Sequence, residues 1–202
     1  MTRLTRAESQ ARTRAQLLTT ARALFLADGY LATSIDKVAE VAGFSKGAVY
    51  SNFRNKDELC IAVLDQIHAD RAAEIATVLR APTADERMRR FAEWAERAIG
   101  DPNWTGLELE FAVQARRDER LRQQLADRIG ALGALLGAAV DVATDEDYEP
   151  PLPRDEAALA LLCLGVGLGL FRSIDPKVPV SALVNTVRVL AGMPAGAALR
   201  DE

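Results

Sequence analysis

The sequence predicts an all-α protein: an N-terminal cluster of three short helices, a long connecting helix and a larger helical bundle. Three observations carry this. No run of residues alternates apolar with polar, and Val and Ile are scattered among Ala, Leu, Arg and Glu, which favour helix. Capping residues and glycines cut the first 56 residues into short pieces. Beyond Pro82 the helix breakers are sparse, at Gly100-Asp101-Pro102, at Pro150-Pro151-Leu152-Pro153, at Asp175-Pro176 with Pro179, and at Pro194.

In chain order, Leu17, Leu18, Ala21, Leu24 and Phe25 recur at helical spacing, and Asp28-Gly29 supplies a stop. Thr33 is placed to cap a second helix, with Asp36 three residues on completing a capping box, and Gly43 ends that helix after barely two turns. Ser45 caps a third short helix running to about Phe53. Asn55 and Glu58 form a second capping box that opens a long helix to about Arg80. Between Trp104 and Thr144 the helical pattern is long enough for two helices, with a break near Asp118. The expected division is residues 1–56 for the small cluster and 57–202 for the bundle.

Charge divides at the same place. The chain carries a net charge of −4, which as one number argues against a polyanionic partner. Yet residues 1–56 hold nine basic and four acidic side chains, a net +5, which leaves −9 for the remainder. A basic head on an acidic body is the asymmetry of a protein that meets a polyanion at one end. The charged start, Met-Thr-Arg-Leu-Thr-Arg, has no apolar segment of a secretory signal, so a cytoplasmic location is expected. The longest uncharged stretch, Ala157 to Phe171, is 15 residues, short of the roughly 20 needed to span a bilayer, and no membrane partner is expected. Cys60 and Cys163 read as free buried thiols.

Function becomes legible between Ile35 and Arg54. Ala39, Gly43 and Val49 have the spacing of two short helices that meet at a tight turn, and Ile35, Val38, Phe44, Val49 and Phe53 supply the apolar contacts between them. The outer face of the second helix then carries Lys46, Gly47, Ala48, Ser51 and Asn52, small or hydrogen-bonding groups suited to a DNA major groove. Thr33, Ser34 and Ser45 place hydroxyls and helix N-termini beside it, and Tyr50 offers a phenol to phosphate while its ring packs. Lys56 sits in a first helical turn, where a cation opposes the dipole unless an anion is shared. Arg3, Arg6, Arg12 and Arg14 read as a basic arm, either a plain tail or a further DNA contact.

The run Ala23-Leu24-Phe25, Asp28-Gly29-Tyr30, Thr33 to Ala39, Ala42 to Tyr50, Phe53 and Asn55 to Leu59 closely resembles the DNA-binding domain of the TetR family of transcriptional regulators. The resemblance covers the first quarter to third of the chain. It implies an all-helical homodimer that represses transcription from a palindromic double-stranded DNA operator and is released by a small-molecule effector held in the larger domain. By position it makes Thr33, Ser34, Lys46, Gly47, Ala48, Tyr50, Ser51, Asn52 and Lys56 DNA contacts, joined by the cap residue Ser45. It also implies a dimer built on the last two long helices. Leu161, Gly165, Leu168 and Gly169, with Val184 and Val187, are the candidate interface residues there.

The body is less specific. Trp104, Leu107, Glu108 and Phe111 share one helical face, a core stripe or an effector pocket, in which the Glu108 carboxylate either pairs with an arginine or meets an effector. Gly130, Gly133 and Gly137 form a small stripe that serves close packing or leaves room for a ligand. Gly165-Val166-Gly167-Leu168-Gly169 lacks the strand and spacing of a phosphate-binding loop. His68 stands without a cysteine or carboxylate cluster, so no catalytic residue, cofactor or metal is assigned. Other readings stay open: a regulator without an effector, an activator, and, with no credible nucleophile and base, a helical enzyme.

Overall fold

A computed structural model describes residues 5–143 and 148–194, and all regular structure among them is helical. The helices are α1 (Arg6–Ala32), α2 (Ile35–Ala42), α3 (Lys46–Tyr50), α4 (Lys56–Leu79), α5 (Ala84–Ala98), α6 (Pro102–Ala115), α7 (Glu119–Ala143), α8 (Arg154–Ile174) and α9 (Ser181–Leu190). They fall into two compact units, Met1–Arg71 with Gly106–Leu121, and Ala72–Thr105 with Arg122–Glu202.

In the first unit, α1 begins earlier than its apolar pattern suggests. Thr5 accepts from Glu8 N at 3.2 Å and Glu8 accepts from Thr5 N at 2.7 Å, a capping box that makes helix of the expected basic arm. Arg6, Arg12 and Arg14 are therefore helical, and Arg3 lies outside the described residues. Leu17, Ala21 and Phe25, four apart, are fully buried. Helical geometry breaks at Gly29, whose φ of 82° and ψ of 171° suit glycine alone.

The cap of α2 is Ser34, which accepts from Lys37 N at 3.1 Å, and not Thr33 as the sequence suggested. Thr33 is only 1% exposed, and its hydroxyl donates to Gly29 O at 2.8 Å and Leu24 O at 3.3 Å. The break in α1 leaves carbonyls without helical donors, and a buried hydroxyl nearby is drawn to them first. Gly43 closes α2 at φ 73°, with Phe44 N donating to Ala39 O at 2.9 Å. Ser45 caps α3 by accepting from Ala48 N at 3.2 Å. That helix stops at Tyr50, short of the expected Phe53, and continues as a turn. Asn55 accepts from Glu58 N at 2.8 Å, while the return bond runs from Arg54 N to Glu58 at 3.1 Å, one residue earlier than a capping box would place it.

In the second unit, Thr83 caps α5 by accepting from Glu86 N at 3.2 Å. The break expected near Asp118, which falls in the first unit, is present between α6 and α7, where Asp118 accepts from Arg120 N at 2.9 Å. The expected end at Thr144 lies outside the described residues. α5, α8 and α9 pack around Ala95, Ala157, Leu161, Leu168 and Leu183. An added Cβ on Gly137 would lie 2.9 Å from Nε of the exposed Arg154 side chain, and nothing approaches Gly130 or Gly133 within 4 Å.

With its charged ends α8 reaches 21 residues and a mean hydropathy of 2.0 over its best window, so its length and composition alone would suffice to cross a membrane. Length therefore does not exclude a span as the 15-residue uncharged stretch suggested. What ties α8 to the protein is packing along one face and Arg172, a buried cation. Its guanidinium donates to Ile99 O at 2.9 Å, Val178 O at 2.5 Å and the Glu96 carboxylate at 2.9 Å.

Candidate nucleic-acid interface

The helix-turn-helix is held from within by apolar side chains. Ile35, Val38, Ala39, Val49 and Phe53 are buried, and α2 packs on both α1 and α3. This fixes the opposite face of α3 outward. Ser34, Ser45, Lys46, Gly47, Tyr50 and Ser51 are exposed, and Ala48 and Asn52 are half-buried. Tyr50 is 48% exposed, more than a packed ring with only its hydroxyl outward would be.

The electrostatics of this face are partly committed. Lys46 Nζ lies 2.7 Å from Asp36 Oδ1, and the carboxylate bond raises the Lys46 pKa above its ordinary value. Both side chains are solvent-exposed, so the pair is weak and the ammonium is available to a stronger anion. Lys37 pairs likewise with Asp28 at 2.9 Å. Asn52 is turned back onto its own helix, its amide donating to Ala48 O at 2.8 Å. Its backbone carbonyl accepts from Arg14 at 2.7 Å, and the same guanidinium lies 4.1 Å from the centre of the Phe53 ring. Arg14 thus secures the end of the reading helix from inside the head.

Lys56 has an internal partner that the sequence did not reveal. Its ammonium donates to Tyr30 O at 2.8 Å and sits 4.1 Å from the centre of the Tyr30 ring. The cation that looked misplaced at the start of α4 therefore answers the broken end of α1. Tyr30 donates to Asp57, and burial first, that hydrogen bond second, pushes the phenol pKa well above its usual range. Thr33, Lys56 and Arg14 accordingly shape the face, and Ser34, Ser45, Lys46, Gly47, Tyr50 and Ser51 present it.

The effector stripe divides. Leu107 and Phe111 are fully buried in the first unit, with the Phe111 ring edge-on to Tyr30 at 5.4 Å, whereas Trp104 belongs to the second unit and is half-buried. Glu108 finds His68, not an arginine, at 3.2 Å from Nε2. That pairing joins residues 40 apart on α4 and α6 and left no signal in local spacing. Among the described residues no group of three or more His, Cys, Asp or Glu side chains is arranged to hold a metal.

The candidate dimer residues differ in exposure within the protomer. Leu161, Leu168 and Gly169 are buried in the protomer's own core, Gly165 is half-buried, and Val184 and Val187 pack partly buried against that core. The outward face of α8 carries Leu159, Val166, Phe171 and Ile174, with Ile174 76% exposed, and also Cys163, which is exposed and not buried as the sequence suggested because it lies on the side of α8 away from the core.

Residues 17–63 match the family model described as bacterial regulatory proteins, tetR family. The chain is 43% identical over 68 residues to the HTH-type transcriptional regulator TtgR of Pseudomonas putida, which is 34% of this chain and 32% of that protein. It thus spans about a third of that relative's length. A longer match, 28% identical over 149 residues, covers 74% of this chain and 73% of the HTH-type transcriptional repressor AcnR of Corynebacterium glutamicum. Relatives named as repressors and one named as an activator both occur. A crystal structure of a TetR-family regulator from Rhodococcus sp. shares the fold at a TM-score of 0.70 and 23% identity, over 90% of this chain and 99% of that one. The likeness to the TetR family of bacterial transcriptional regulators is carried by the helix-turn-helix domain at the N-terminal end of the chain, residues 17–63.

Proposed function

We propose that the protein is a homodimeric repressor that binds an inverted-repeat DNA operator through the outer face of α3 and releases it when a small-molecule effector binds. The observation that carries the reading is the division of α3: Val49 is buried, while Ser45, Lys46, Gly47, Tyr50 and Ser51 face solvent within a head of net charge +5. Such a face, small and polar with a phenol and an ammonium, suits a major groove and its flanking phosphates. Ser34 and Lys46 flank it, and the half-buried Ala48 and Asn52 complete its surface. Thr33 and Lys56 contribute by holding the start of α2 and the break in α1 in place.

Dimerisation is supported by α8. A protomer in water gains nothing from exposing Leu159, Val166, Phe171 and Ile174 along one helix, and a second copy of that face would cover them. A twofold dimer then sets its two reading helices one DNA turn, about 34 to 36 Å, or a multiple of it apart. Repression is favoured over activation because the longer match is to a named repressor. Trp104 and Glu108 are the members of the effector stripe left outside the core.

Selection of bound duplexes from a random pool tests the reading. The expected product is an inverted repeat whose half-sites lie on one side of the DNA. Enrichment of a single asymmetric site would overturn the dimer, and no enrichment at all would overturn DNA recognition.

A further inference from the structure

The break in α1 exposes three consecutive residues of backbone, Gly29, Tyr30 and Leu31, immediately before the helix-turn-helix. Two sets of their groups are answered from within the N-terminal segment. Thr33 donates to Gly29 O, and Lys56 donates to Tyr30 O at 2.8 Å and reaches Leu31 O at 3.5 Å. The Leu31 N–H is answered from elsewhere: it donates at 3.0 Å to Oε2 of Glu110, 79 residues on, in α6. The same carboxylate fills the space beside Gly29, where an added Cβ would lie 2.7 Å from Oε1. One residue further along α6, Phe111 packs edge-on against Tyr30. All these groups lie in one compact unit.

We infer that Glu110 is a positioning residue for DNA binding, tethering the broken end of α1 and so fixing where Ser34 starts α2. Resting on the DNA-binding reading, this makes the reading head a composite of the N-terminal helices and the second half of α6. A carboxylate accepting a backbone N–H is among the stronger local bonds, and it defines direction as well as distance. Leu31 is three residues from the Ser34 cap, so a head without the tether keeps its helices but not the fixed angle at which α2 and α3 leave α1. The Glu110 carboxylate bonds the backbone of α1 and not the outer face of α3, so its contribution to DNA affinity involves no phosphate.

The test uses the full chain with two readouts. Amide hydrogen exchange of Leu31, which needs no DNA, is expected to be slow in the wild type and in Glu110→Gln, which keeps an acceptor. It is expected to be about tenfold faster in Glu110→Met, which keeps the length but no acceptor. Affinity for a selected duplex is expected to fall by about tenfold in Glu110→Met, to be retained in Glu110→Gln, and to keep the same slope of log K against log salt in both. A freely exchanging Leu31 amide in the wild type overturns the tether outright. Unchanged affinity in Glu110→Met, an equal loss in Glu110→Gln, or a flattened salt slope overturns the positioning role. A wild type that binds no duplex condemns the DNA reading instead, and the exchange measurement still decides the tether.

Discussion

Three side chains in the helix-turn-helix region look outward in the sequence and act inward in the structure. Thr33 bonds the carbonyls of Gly29 and Leu24, Lys56 those of Tyr30 and Leu31, and Arg14 that of Asn52. All three answer backbone groups that a helix break or end leaves open, a demand that outranks a surface role. Gly29→Ala is accordingly expected to destabilise the fold by well over about 1 kcal/mol, since it meets both a positive φ and the Glu110 carboxylate. Denaturant unfolding reads this directly. Ser45→Ala removes the cap of α3 and is expected to cost about 1 kcal/mol in the same assay. Tyr30 adds a pH dependence. Its native pKa is raised above the ordinary 10, so the neutral phenol stabilises the fold fully below that value. Above about pH 10 the unfolded chain loses the proton first, and stability falls as pH rises. Tyr30→Phe is expected to flatten that alkaline loss in a pH series of thermal melts.

At the scale of elements, what was legible in the sequence was local. Gly43, Ser45 and Asp118 act within three or four residues of themselves, so the turn, the cap of α3 and the break between α6 and α7 could all be read from spacing. The tether of Glu110 to Leu31 and the pair of His68 with Glu108 span 79 and 40 residues and leave no periodic trace. α8 is ambiguous for a different reason. It is apolar on both sides, so its pattern does not say which face packs within the protomer. Gly165 and Gly167 have nothing within 4 Å of an added Cβ, so close approach within the protomer does not explain them. Gly106 in α6 is equally unconstrained, and Gly106→Ala is expected to stabilise the fold by up to about 1 kcal/mol. Val166→Glu, on the outward face, is expected to leave the protomer folded and convert the proposed dimer to monomer in sedimentation. A dimer that persists in that variant would move the interface off α8.

For the whole molecule, the net charge of −4 conceals a division of labour. The +5 head carries the exposed face of α3, and the acidic remainder includes the apolar outer face of α8. The two cysteines report on that arrangement separately. Cys60 is buried, and burial pushes its thiol pKa far up, so it is expected to resist alkylation throughout. Cys163 is exposed in the protomer but lies on the face assigned to the dimer. Its alkylation is expected to speed up on dilution below the dimer dissociation constant, followed by mass spectrometry. The central claim, that the outer face of α3 reads DNA, is tested most directly by the salt dependence of duplex binding in the variant combining Lys46→Ala with Tyr50→Phe. The account predicts weaker binding and a slope of log K against log salt flatter by about 0.9 for each phosphate that the variant no longer neutralises; unchanged affinity with an unchanged slope would contradict it.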